Sequence, residues 1–144
     1  MLLIYSQIMP TTETIYSGRL RTESTHLASG SILITDAPLD NYGKGEAFSP
    51  TDLLATSLGC CMLTLMGITA NKNNFNIDGT RITITKIMES NPRRVSEVHL
   101  NFDMPEIEYT DEEKRKIYSA AVNCPVAKSL HPDINQVVHF NYKK

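Results

Sequence analysis

The 144 residues predict an α+β fold. Strand-like segments come in groups, one long stretch from Ser49 reads as a helix with almost no polar face, and two further helical patterns sit together near the end. The βαβα alternation of a doubly wound parallel sheet is missing. At 41% hydrophobic and 21% charged the composition is that of a globular chain and excludes general disorder. The net charge of −2 gives no broad affinity for nucleic acid or for an anionic membrane surface. The length suits one domain spanning 1–144, with no repeat and no linker.

The opening MLLIYSQIMPTTET lacks a positive n-region, and Tyr5, Ser6 and Gln7 interrupt its apolar stretch, so a signal peptide is not expected. No run approaches the uninterrupted apolar length of a membrane span, and a cytoplasmic protein is expected. Thr14–Leu20 and Ser31–Thr35 are rich in β-branched and aromatic residues and read as strands. Between Asp36 and Phe48, DAPLDNYGKGEAF is dense in Asp, Asn, Gly and Pro and reads as a long loop, a length that points to function.

Ser49 then opens a helix: serine as N-cap, Pro50 in the first turn and Asp52 near the positive helix end. It runs to about Asn71–Asn74, and being apolar nearly all round it is expected to be buried on most sides. In a domain this small that means a central helix wrapped by sheet, or one shared with another subunit. Arg81–Met88 alternates as Ile82, Ile84 and, after a slip, Ile87; SNPRR turns the chain into Val95–Phe102, with Val98, Leu100 and Phe102 on one face. Thr110 and Glu113 stand at capping-box spacing at the head of TDEEKRKIYSAAVNC, which halts before Pro125. PVAKSL makes a short helix, and Gln136–Tyr142 closes the chain as a strand.

Three cysteines, an odd number, are not a disulfide framework. On the helix Cys61 shares a face with Leu54, Leu58, Leu65 and Ile68, while Cys60 points roughly a hundred degrees away, so the two cannot do the same job. Either can be a small packed hydrophobe or a reactive thiol. Cys124, just before a proline that starts a helix, lies near unpaired backbone N–H groups, which lowers a thiol pKa. Arg19 and Arg21 flank Leu20 and, on one strand, project from one face. They form either a solvated face or a guanidinium that holds a thiolate and a substrate oxygen, oriented by Glu46 or Asp52. No histidine stands at ligand spacing from a cysteine, so a zinc site is not expected. A GxxxxGK[ST] loop, a GxSxG elbow and a Ser-His-Asp arrangement are also missing, which leaves thiol chemistry.

PTDLLATSLGCC followed some sixty residues on by NCPVAKSL resembles the OsmC/Ohr superfamily of osmotically inducible and organic-hydroperoxide-resistance proteins. The order of elements fits from about Thr14 to Tyr142. The resemblance implies antiparallel sheets wrapped around long central helices in an intertwined homodimer, with sites at the subunit interface. It further implies a peroxidase that needs no metal or flavin and reduces organic hydroperoxides. Cys61 would be the peroxidatic thiol, Cys124 the resolving one, Arg21 (with Arg19 as the fallback) the activating arginine, and Cys60 packing. An external dithiol, lipoyl-bound in the Ohr branch, would reduce the resulting disulfide. The family's glutamate after the helix-initiating proline is Thr51 here, with Asp52 or Glu46 as its substitutes. The alternative is a non-enzymatic OsmC-like stress protein holding an apolar ligand at the interface cleft. A cysteine hydrolase lacks the histidine partner it would need.

Overall fold

The computed structural model describes residues 9–143 and divides the chain into two compact units that meet between Pro50 and Thr51. Most of the segment weighed above as a targeting sequence, residues 1–8, lies outside the described residues.

The first unit is a three-stranded antiparallel meander, β1 (Thr12–Gly18), β2 (Arg21–His26) and β3 (Ile32–Asp36). The expected strand from Thr14 to Leu20 ends early. Arg19 (φ 52°) and Leu20 (φ 62°) form a two-residue turn, and Gly18 pairs with Arg21 across it. Positive φ at both central residues is the geometry that follows the twist of a hairpin, although Asn-Gly is its usual sequence. Arg19 is therefore in the turn, Arg21 opens β2, and the two do not share a strand face.

Alternation sorts this sheet into two faces. One carries the paired hydroxyls of Thr14 and Ser24 (2.8 Å) and of Thr22 and Thr35. The other carries Ile15, Ile32 and Ile34, at 59, 62 and 39% exposure. The register puts Ile15 opposite Glu23, Glu23 opposite Ile34, and Arg21 opposite Asp36 on that face.

The second unit holds the hydrophobic core. Helix α1 (Pro50–Lys72) carries the buried stripe Ala55, Leu58, Met62, Met66 and Ala70. Against it stands a second sheet of β4 (Arg81–Glu89), β5 (Arg94–Asp103) and β6 (Asn135–Asn141). β4 and β5 form the expected antiparallel hairpin, with the slip in alternation appearing as a register shift at Ile87–Met88. β6 adds to β5 in parallel. Val98, Leu100 and Phe102 are fully buried, as their common face predicts, and Phe102 stacks on its register partner Phe140 at a centroid distance of 4.6 Å. Gly59 lies against β4: a Cβ there would stand 2.4 Å from Ile84 Cδ1 and 3.1 Å from Ile82 Cδ1.

Helix α2 (Asp111–Val122) begins with the predicted capping box: Thr110 Oγ1 accepts from the Glu113 N–H, and the Thr110 N–H donates to Glu113 Oε2. α3 (Pro125–Ser129) follows almost at once.

Two expectations about α1 change. Only the one stripe is buried within this chain, and Ile68 is 43% exposed, so the helix is not enclosed on most sides. By length and composition alone it is long and apolar enough to cross a membrane, contrary to the expectation that no such stretch exists. Here it packs as the core helix of the second unit, with Asp52 bound to Lys86 of β4 at 2.8 Å.

Candidate functional site

The second unit brings Cys61 and Cys124 together. Cys61 sits on α1 at the edge of the buried stripe, half-buried against the core. Cys124 arrives from the other end of the sequence because α2 must stop. Its own N–H donates to Ala121 O (3.3 Å), its backbone is extended, and Pro125 takes the first position of α3. That conformation turns the side chain inward, where it is fully buried and caps α3 by accepting the Ala127 N–H at 3.4 Å. The Cys124 and Cys61 thiols are neighbours close enough for each to bear on the other's ionisation. No disulfide joins them.

The helix start does not dominate the Cys124 thiol as expected. Burial pushes its pKa up, the neighbouring Cys61 thiol pushes the same way, and the Ala127 and Val126 N–H groups offset only part of this. Cys60, expected as packing, is exposed, since it points away from the stripe that faces the sheet.

Arg21 belongs to the first unit, where it is the centre of a carboxylate cluster. Its Nε and Nη2 grip Asp36 Oδ1 and Oδ2 at 2.7 and 2.8 Å, a two-pronged contact that fixes the plane of the guanidinium. Nη2 also donates to Glu46 Oε2 at 2.9 Å. The loop after β3 builds this arrangement. A 3₁₀ turn at Leu39–Asn41 reverses the chain, and Gly43 passes so close that a Cβ would stand 1.6 Å from Ala37 O. Glu46 then returns to donate its own N–H to Asp36 Oδ2 at 3.1 Å.

Of the two acids considered for Arg21, the structure gives it Glu46; Asp52 is paired with Lys86, whose Nζ also donates to Thr51 Oγ1 at 2.8 Å. Asp36, only 1% exposed, escaped the sequence reading. The signal that marks it is its place opposite Arg21, which becomes visible only once the turn at Arg19–Leu20 is recognised.

The bond from Arg21 holds the Asp36 carboxyl below its ordinary range, and Asp36 and Glu46 raise the guanidinium. A carboxyl lowered on folding stabilises the protein fully above the unfolded value, near 3.9, and loses that contribution as pH falls through the folded one. Asp36→Asn is thus expected to lower Tm at neutral pH and to lose less than wild type between about pH 4 and 2, where carboxyls titrate. Thermal melts across that range check it; parallel curves would deny the pair any role in acid sensitivity.

A cavity of about 710 Å³ opens in the second unit beside the first turns of α1. Thr51, Leu54, Val95 and Ile134 line it, with Arg94 and His131 among its polar residues. Leu54 is two turns before Cys61 on the same helix face, roughly 10 Å along the axis. Among the described residues no group of three His, Cys, Asp or Glu could hold a metal ion.

Residues 43–138 match the family model described as OsmC-like protein. A crystal structure from Psychrobacter arcticus 273-4, provisionally described as an osmotic stress induced and detoxification response protein, is 52% identical, with a TM-score of 0.90 over 96% of this chain and 100% of its own. An organic hydroperoxide resistance protein OsmC from Legionella pneumophila has the same fold at 17% identity, with a TM-score of 0.72 over 92% of this chain and 98% of its own. One from Elizabethkingia anophelis does so at 16%, also with a TM-score of 0.72, over 95% and 99%. No curated protein sequence matches.

Proposed function

The chain belongs to the OsmC-like protein family, and from that premise we propose that it is a thiol-dependent peroxidase reducing organic hydroperoxides through Cys61 and Cys124. The observation that carries this reading is the neighbouring pair of free thiols, one half-buried and one fully enclosed. Sixty-three residues apart in sequence, they are brought next to each other by the fold.

In this mechanism Arg21, its plane held by Asp36 and Glu46, aligns the peroxide. The Cys61 thiolate attacks the distal oxygen, the O–O bond breaks, the alcohol leaves and Cys61 becomes a sulfenic acid. Cys124 displaces hydroxide from that sulfur to close the disulfide, which an external dithiol, lipoyl-bound as in the Ohr branch, reopens. The cycle needs both thiols reduced between turnovers, which suits a reducing compartment such as the cytoplasm. Leu54, Val95 and Ile134 favour a substrate with an apolar substituent.

Treating the reduced protein with one equivalent of an organic hydroperoxide and mapping peptides without reductant tests the reading. A Cys61–Cys124 disulfide is expected; unchanged thiols would sink the peroxidase. The cavity favours a second reading, a stress protein that holds an apolar ligand there without chemistry. That reading survives unchanged thiols if the protein retains an apolar probe.

We also propose that the 1–144 chain works as one OsmC-like domain in a homodimer. The Ile15, Ile32 and Ile34 face and the open side of α1 leave apolar surface that a second copy would cover. Sedimentation is expected to give twice the 16.1 kDa chain mass; a monomer at micromolar concentration would overturn it.

A further inference from the structure

We propose that Cys124 is also the general acid of the first step, handing its thiol proton to the departing alkoxide and becoming, by that transfer, the thiolate that closes the disulfide. The inference rests on the peroxidase reading and adds a second role for one of its two sulfurs.

The geometry makes Cys124 a donor. Its sulfur already accepts the Ala127 N–H at 3.4 Å, so one lone pair is committed to the start of α3. The Val126 N–H approaches the same sulfur, Cys61 is its thiol neighbour, and the side chain has no exposure to water. A thiol that meets a sulfur nucleophile at one end and a backbone donor at the other can offer only its hydrogen toward the place where peroxide reacts. Enclosure keeps that hydrogen in place, since a buried thiol ionises reluctantly.

Cys124 therefore enters the first step protonated, and water is not at hand to quench an alkoxide beside it. Attack by the Cys61 thiolate on the hydroxyl oxygen of ROOH forms the S–O bond and breaks O–O, leaving Cys61–SOH and RO⁻. Two electrons have passed from sulfur to peroxide. The alkoxide, a far stronger base than a thiolate, takes the Cys124 proton and leaves as ROH. The new Cys124 thiolate is stabilised by the Ala127 N–H and stands next to the sulfenic acid. It forms the S–S bond and expels hydroxide, and the charge balances. The proton transfer thus arms the second thiol only after the first has been oxidised, which spares a permanently ionised buried sulfur.

The leaving group supplies the test. In a Cys60→Ser background, Cys61 thiol loss is followed by alkylation quench and mass spectrometry after mixing with tert-butyl hydroperoxide or with peracetic acid. The first expels a basic alkoxide and the second a carboxylate, which needs no proton. With Cys124→Ala, oxidation by tert-butyl hydroperoxide is expected to slow by about a hundredfold, in the range of a lost general acid, while peracetic acid reacts within about threefold of the parent. Cys124→Val, closer in size, repeats both arms in case alanine loosens the core.

Unchanged rates with both oxidants would overturn the proposal and leave Cys124 as a resolving thiol alone. An equal slowing with both would also overturn it, as the mark of a structural role. Failure of the unaltered pair to react with tert-butyl hydroperoxide would instead remove the peroxidase reading, and this proposal with it.

Discussion

Cys61→Ser is expected to abolish hydroperoxide consumption, with a loss of at least about a thousandfold, since serine at neutral pH is not ionised and cannot attack peroxide oxygen. The result is informative because the neighbouring thiol stays in the protein. Cys60 is exposed and is expected to oxidise slowly with any peroxide, whereas Cys61 sits against the core with Cys124 as its neighbour. Consumption is followed with tert-butyl hydroperoxide and a dithiol reductant, and Cys60→Ser is the companion variant. Retained turnover in Cys61→Ser, together with its loss in Cys60→Ser, would move the chemistry to the outer sulfur and undo the helical register on which the site is built.

Phe102→Ala should be the most damaging single change to stability. The ring is fully buried, stacks on Phe140 at an interplanar angle of 12°, and joins the parallel pair of β5 and β6 from one side. Truncating a buried phenylalanine costs about 3–5 kcal/mol, through lost burial and the cavity left behind. Against a total of about 5–15 kcal/mol for a domain, that brings the protein close to unfolding at room temperature. Urea titration followed by circular dichroism measures it. A cost under about 1 kcal/mol would mean that Phe140 or its neighbours refill the space, and that the two rings are not the support the packing implies.

The elements read well from sequence where a periodic apolar face and a cap coincide. The α2 capping box, the β4–β5 hairpin with its slip, and the face of Val98, Leu100 and Phe102 all depend on local spacing, and all appear as expected. What escaped depends on contacts between distant residues. β2 (RTESTH) has no apolar alternation, so nothing local marks it as a strand; it exists because β1 and β3 pair with it on both sides. The turn before it uses Arg-Leu in place of the residues that tolerate positive φ, so nothing local marks the break that separates Arg19 from the strand face of Arg21. Without that break, nothing local pairs Asp36 with Arg21. For Cys124 the local signal, a thiol before a helix-starting proline, was read correctly, but its consequence was outweighed by burial, which no local pattern reveals. Cys60 shows the converse: an apolar neighbourhood in sequence said nothing about which side of the helix the sheet would cover.

The contact at Gly59 has a bearing on how such a protein can be tuned. Helix α1 rests on β4 with only a hydrogen between them at that residue. Two positions on, Cys61 projects from nearly the opposite side of the helix, and it must stay within about an ångström of its place for a disulfide to close without strain. Alanine at 59 asks Ile84 to swing its terminal methyl, while a β-branched residue asks both Ile82 and Ile84 to yield or the helix to lift. On the proposed chemistry, the thickness of the helix-sheet seam would then act as a spacer for the two sulfurs, adjustable from Gly59.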